Sequence, residues 1–399
     1  DAYNVAIGME AGNKITTGTN NTFVGGLAGD AFTDADFNVG IGKNALGSDT
    51  LGSKSTALGT FALETQNFTT ATDALNTAVG YYAGLSVSTG VQNTLIGGLA
   101  GDALTTGSYN VVVGHEALST EDAHGNNVTT GIRNTLVGSE AGDALIDADD
   151  NTAVGALSLS GDTYGSKSTA IGRGALKTQD FTTATDAHNT AVGYSAGELV
   201  STGIQNTFVG SLAGDATTTA SKNVGMGTNA LSTNILGSNS TAVGTAALFT
   251  QNPATATDMH NTAVGFEAGK LISTATQNTL IGGLAGDATD DGADNTAMGY
   301  GSLSANCGSY NTSIGIHTLS VCTGASNTCV GHAAGLAVTG GSNNLFLGNN
   351  SGRTGSPGGN FTTESNRMVL GDENITNAHI QVALTVASDQ RDKTDFTAL

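Results

Sequence analysis

The sequence predicts an all-β chain, a parallel β-solenoid (β-roll) of about twenty 17-residue coils. Three observations predict it. A pentad of the form Asn/Ser–Thr/Val–x–aliphatic–Gly recurs twenty times, from Asn4 to Asn344. Its spacing is 17 residues at most steps, 21 or 24 at four, and 16 at two. The composition fits such a stack: 58 of 399 residues are Gly, only 2 are Pro, and 12% are charged. Pro is scarce because stacked coils need their backbone N–H groups for the ladder.

The coil can be read position by position, counting the first pentad residue as zero. Asn at position zero suits a turn and can ladder with the Asn of the next coil. Thr or Val at position one is β-branched and favours a strand. Strand side chains alternate, so positions one and three share a face and position two takes the other. Position three is always aliphatic or Met, as in Ile7, Val24, Leu58 and Met226, and is therefore expected to point into the core. Position two ranges from Gly40 to Phe23 and is expected to pack against another chain. Gly at position four fits a sharp corner. Small Ala or Ser at position seven, with Gly or Leu after it, suits a thin interior.

The four long spacings all insert residues in the stretch returning to the next Asn, in the coils that begin at Ser55, Asn110, Ser168 and Ser240. Three of these loops are near copies: 65–73, 178–186 and 250–258. Loops at one edge leave the stack intact. Residues 1–352 are read as the rod, 353–387 as a connecting strand or neck, and 388–399 as the start of a further domain. Asp1 opens within the pattern and is not expected to be a natural start.

Asn-Thr-Ala-Val-Gly pentads followed by Ala resemble the head repeats of YadA-like trimeric adhesins, over about residues 4–352. The resemblance implies a parallel β-roll in a homotrimer. Residues 366–395 are similar to the junction that leads into the endosialidase-type intramolecular chaperone of phage tail fibres and tailspikes. Its Ser-Asp-x-Arg-x-Lys entry motif is matched by Ser388, Asp389, Arg391 and Lys393. What this implies is self-cleavage after the Ser once the chaperone has assembled the trimer, with the Ser hydroxyl as nucleophile. Asp392 stands where that family usually has an apolar residue, and the helical remainder of the chaperone does not follow within this sequence.

Together these readings make the chain a structural, receptor-binding fibre. It would be a phage tail fibre, extracellular on the virion, attaching to a host surface glycan or protein. The inserted loops are the contact candidates, with Phe68, Phe181, His124 and Asn126 foremost. The alternative is a bacterial trimeric adhesin or filament subunit, and a depolymerase is the third class. No enzyme constellation is legible, apart from self-cleavage at the junction. The seven His are scattered, with no His-x-x-x-His, and no Gly-rich loop ends in Gly-Lys-Ser/Thr.

A net charge of −21 repels phosphate backbones, so nucleic acid is not an expected partner. No run of apolar residues is long enough for a membrane helix. No cofactor is expected. Calcium is the one ion the acidic clusters Asp147/Asp149/Asp150 and Asp287/Asp290/Asp291/Asp294 could hold, against the plainer reading of solvated turns. Cys307 and Cys322 lie in adjacent return loops, within potential disulfide reach, and Cys329 at position two is expected to face a neighbouring chain. An ice-binding Thr ladder is set aside because position one is placed on the core face.

Overall fold

The computed structural model describes residues 2–119 and 129–377. The described chain is a parallel β-solenoid. Each pentad contributes one three-residue strand, beginning with Val5–Ile7, Thr22–Val24 and Val39–Ile41 and reaching Leu345–Leu347. Successive strands pair in parallel and in register, so Thr190, Ala191 and Val192 lie against Thr207, Phe208 and Val209. Twenty-one described strands form one continuous sheet. The last, Met368–Leu370, pairs with Leu345–Leu347, so the stack runs one rung past residue 352 into the stretch read as a neck. At about 4.8 Å per rung the sheet is about 100 Å long.

The Asn column forms the expected ladder, and it is buried. Asn206 Oδ1 accepts the backbone N–H of Asn223 (3.0 Å). Its Nδ2 donates to the carbonyl of Ala220 (2.9 Å). Each side chain thereby replaces water for two backbone groups that the turn leaves unpaired. Position-four Gly has φ near +140°. At Gly193 a Cβ would lie 2.4 Å from the carbonyl oxygen of Gly210 on the next rung. No other residue fits a corner stacked this closely.

The core reverses the expected facing of the strand. Position two points inward: Phe23, Ala57, Leu95, Val112 and Phe208 are fully buried. Position three points outward: Ile41, Leu58, Ile96, Met226 and Met298 are 37–44% exposed. Position two therefore packs within its own chain and not against another. The physical reason is width. Position two meets the position-seven Ala of the chain running back, and a thin interior cannot take a large aliphatic on every rung.

Size instead alternates between positions two and eight. Phe23, Leu95, Phe208 and Leu280 each share a rung with Gly at position eight: Gly29, Gly101, Gly214 and Gly286. Rungs with Gly40, Ala57, Gly225 or Ala242 at position two carry Leu46, Leu63, Leu231 or Leu248 at position eight, all fully buried. A Cβ on Gly214 would fall 2.3 Å from the Phe208 ring, so Gly clears the volume the ring fills.

Candidate functional site

The features available for function are the inserted loops, the exposed sheet face and the corners beside it. The three copied loops begin on rungs whose position-zero residue is Ser, and one device explains why. Ser is too short to continue the Asn ladder, and a Gln eleven residues on fills the space. Gln66 Nε2 donates to Ser55 Oγ (3.1 Å), while Asn76 Nδ2 donates to Gln66 Oε1 (2.8 Å). Gln179 repeats this with Ser168 and Asn189.

A buried acid completes each of the first two loops. Asp49 Oδ1 accepts the N–H of Gly52 (3.0 Å) and of Phe68 (3.2 Å), and its Oδ2 accepts from Gln66 (2.5 Å). Asp162 accepts from Gly165 (2.9 Å) and Gln179 (2.6 Å), and from the Phe181 backbone. Burial raises the pKa of both carboxyls, that of Asp162 to about 6, against the opposing pull of these hydrogen bonds. The third loop has Pro253 where the others have Phe68 and Phe181, and Asn234 where they have Asp. Pro has no N–H to donate, so the second acceptor lone pair is not needed there. Asn234 turns its amide to the Gly237 carbonyl instead (2.7 Å).

These loops correct the sequence reading of their aromatics. Phe68 and Phe181 are each 6% exposed and fold inward over the return strand, so they anchor their loops and do not present rings to a ligand. The exposed tips are Thr69–Thr70–Ala71 and Thr182–Thr183–Ala184. A short parallel pair, such as Gly165–Ser166 with Thr185–Asp186, holds each loop at its base, joined by the ion pairs Lys54–Asp73 and Lys167–Asp186 in the first two and by an Asn239–Asp258 hydrogen bond in the third. His124 and Asn126 lie outside the described residues, as do Ser388, Asp389, Arg391 and Lys393.

The first acidic cluster, and Asp290 of the second, make rung-to-rung bonds. Asp147 accepts from Thr130 (2.8 Å), Asp149 from the Ile132 N–H (2.8 Å), and Asp150 pairs with Arg133 (2.6 Å). The Arg133 guanidinium holds the Asp150 carboxyl below its usual range. Asp290 accepts from Ser273. Among the described residues no three His, Cys, Asp or Glu side chains are grouped to hold a metal ion.

The three thiols are buried and unbridged. Cys307 Sγ lies 3.3 Å from the Thr289 hydroxyl. Burial pushes the Cys322 thiol up to about 11 and raises that of Cys329 as well. Cys329 packs inside its own chain against Gly335 and Phe346, which corrects the expectation that it faces a neighbour.

The exposed sheet face is the feature that sequence reasoning placed on the wrong side. It displays Thr at position one and Val, Ile, Leu or Met at position three on rung after rung. Hydrophobic periodicity could not reveal it, because the most regular apolar column of the chain is the one that faces out. Comparisons with protein-family models, with curated proteins and with solved structures find no match to this chain.

Proposed function

We propose that this chain is a structural fibre that works as a homotrimer, with the Thr-x-Val faces of three copies turned toward a common axis. One observation carries the proposal: the exposed apolar column runs the length of the sheet. A strip about 100 Å long and about 10 Å wide presents on the order of 1,000 Å². The largest apolar patch on a typical monomer is about 300–600 Å². Thr methyls beside Val and Ile suit a dry contact between flat sheets, and burial would stabilise it by about 25 cal/mol per Å² of apolar surface.

The resemblance to trimeric adhesin repeats and to a chaperone junction supports reading the fibre as part of a phage tail that attaches to a host surface glycan or protein. A bacterial surface adhesin is the alternative built on the same rod. The hydroxyl-rich loop tips at Thr69–Thr70 and Thr182–Thr183 are then the contact candidates. Labelled rod should bind bacterial cells and lose that binding after periodate or protease treatment, according to whether the receptor is glycan or protein. No binding across a broad panel of cells would count against attachment.

Sedimentation equilibrium at micromolar concentration tests the assembly. The expected mass is that of three chains, and a triple variant Ile171→Glu/Val192→Glu/Val209→Glu should fall to one chain with its β-structure intact. A single-chain mass for the parent refutes the trimer. It would favour a second reading, a water-facing Thr ladder that binds ice. The outward position of the column restores that reading, and thermal hysteresis would reveal it.

A further inference from the structure

Each rung has two corner positions beside the Thr-x-Val face, and most carry exposed side chains. One is the leading residue, just before the pentad. The other is the trailing residue, just after the corner Gly. Six residues of near-extended chain separate them, roughly 15–20 Å, so within one chain they are too far apart to touch. Yet wherever the leading residue is an aromatic, Leu or His, the trailing one is large too, although the long cations Lys54, Arg133 and Lys222 lead small Thr60, Ser139 and Thr228.

The leading residue is aromatic or Leu on five rungs and His on two. On all seven the trailing residue is large. Tyr3 goes with Met9, Leu75 with Tyr81, and Tyr310 with Ile316. Phe37 goes with Lys43, Tyr109 with His115, His188 with Tyr194, and His260 with Phe266. Among the other thirteen pentad rungs only Arg173, Tyr300 and His332 are comparably large. Own-chain contacts occur on both kinds of rung: Tyr300 packs edge-on to His317 and His332 bonds Asn349 (3.1 Å), while Lys43 lies over the Phe61 ring and Tyr81 packs on Tyr82. At the other extreme a leading Gln faces a trailing Gly, as in Gln92/Gly98 and Gln277/Gly283. The large corner groups are well exposed: Tyr109 is 52%, Tyr310 66% and Tyr81 54% accessible.

We infer that copies of this chain assemble parallel and in register, with the leading corner of one packed against the trailing corner of the next, closing a ring about the Thr-x-Val faces. This rests on the self-association proposed above and adds to it polarity, register and the residues of the seam. Contacts within a chain cannot couple the two corners, whereas a head-to-tail ring joins them at one height. In the ring such matches have a physical sense: sulfur on aromatic for Met9 and Tyr3, ring on ring for Tyr109 and His115, an amide over bare backbone for Gln92 and Gly98.

The test places the photo-cross-linker p-benzoylphenylalanine at Tyr109 and, separately, at Tyr310 in the whole chain. Irradiation should give covalent dimers and trimers. Digestion should find the adduct from 109 on the peptide containing His115 of another copy, and the adduct from 310 on the peptide containing Ile316. Adducts more than two rungs from these sites, or links between two leading residues, overturn the in-register ring while leaving self-association standing. A single-chain mass in sedimentation overturns both.

Discussion

Phe208→Ala should be among the most damaging single changes in the rod, and Gly214→Leu should partly reverse it. The Phe208 ring is fully buried in space that three glycines leave open. A Cβ would lie 2.3 Å from it at Gly214, 3.0 Å at Gly225 and 3.1 Å at Gly197. Removing the ring leaves a cavity lined by residues with no side chain to swing inward, so relaxation is small. Phe→Ala in a core costs about 3–5 kcal/mol, and this site belongs at the upper end. The double variant Phe208→Ala/Gly214→Leu converts the rung to the pattern of its neighbour but one, where Ala242 shares a rung with Leu248. Leu there must take the left-handed backbone of Gly214, φ +58°, at about 1–2 kcal/mol. Leu231 and Leu248 already hold φ of 56° and 49°. A net recovery of about 2–3 kcal/mol is expected from the refilled volume. A solenoid can open locally, so the assay is amide hydrogen exchange at Gly210 and Asn223 alongside the urea midpoint. A single variant costing under about 1 kcal/mol would refute complementary filling of positions two and eight, as would a double variant no more stable than the single.

Gly193→Ala should abolish folding of the surrounding rungs, since its Cβ would meet the Gly210 carbonyl at 2.4 Å; circular dichroism and proteolysis read the loss. Asn206→Leu leaves the buried Asn223 N–H and Ala220 carbonyl unpaired, at about 1–3 kcal/mol each, measurable as a fall in melting temperature. Acid should stabilise the rod. The carboxyls of Asp162 and Asp143 are raised to about 6, by burial first and in Asp143 also by Glu140, so the folded state binds protons more tightly than the unfolded one. That contribution is complete below about pH 4 and is lost as pH rises through about 6, so melting temperature should climb from pH 7.5 to pH 5. For Asp162 the shift corresponds to about 3 kcal/mol, and Asp162→Asn should flatten the profile by that share. Ser168→Asn should loosen the 178–186 loop, because the longer amide displaces Gln179 from its place beside Asp162; faster proteolysis there checks it.

Much of this architecture is legible in the residues alone, because it depends on properties local to one coil. The 17-residue period, the corner Gly, the β-branched strand and the Asn ladder each follow from a side chain's own preference and recur on each coil. Where the loops bulge is equally plain from the spacing. The direction of the strand was not. Alternation says that positions one and three share a face, but not which face is inside. The usual inference, that the most regular apolar column is the core, fails here because the interior is set by its width. The two runs of backbone in a coil leave room on most rungs for one ring or one Leu, at position two or position eight, with small residues beside it, so Val24, Ile41 and Leu58 turn outward. The inward turn of Phe68 and Phe181 was likewise hidden, because it depends on the buried Asp49 and Asp162 that hold their backbones from the preceding coil. What the sequence determined by itself is the repeat and its hydrogen bonding. What only the tertiary structure decided is which surface is left exposed, because that depends on how two distant parts of a coil share one small volume.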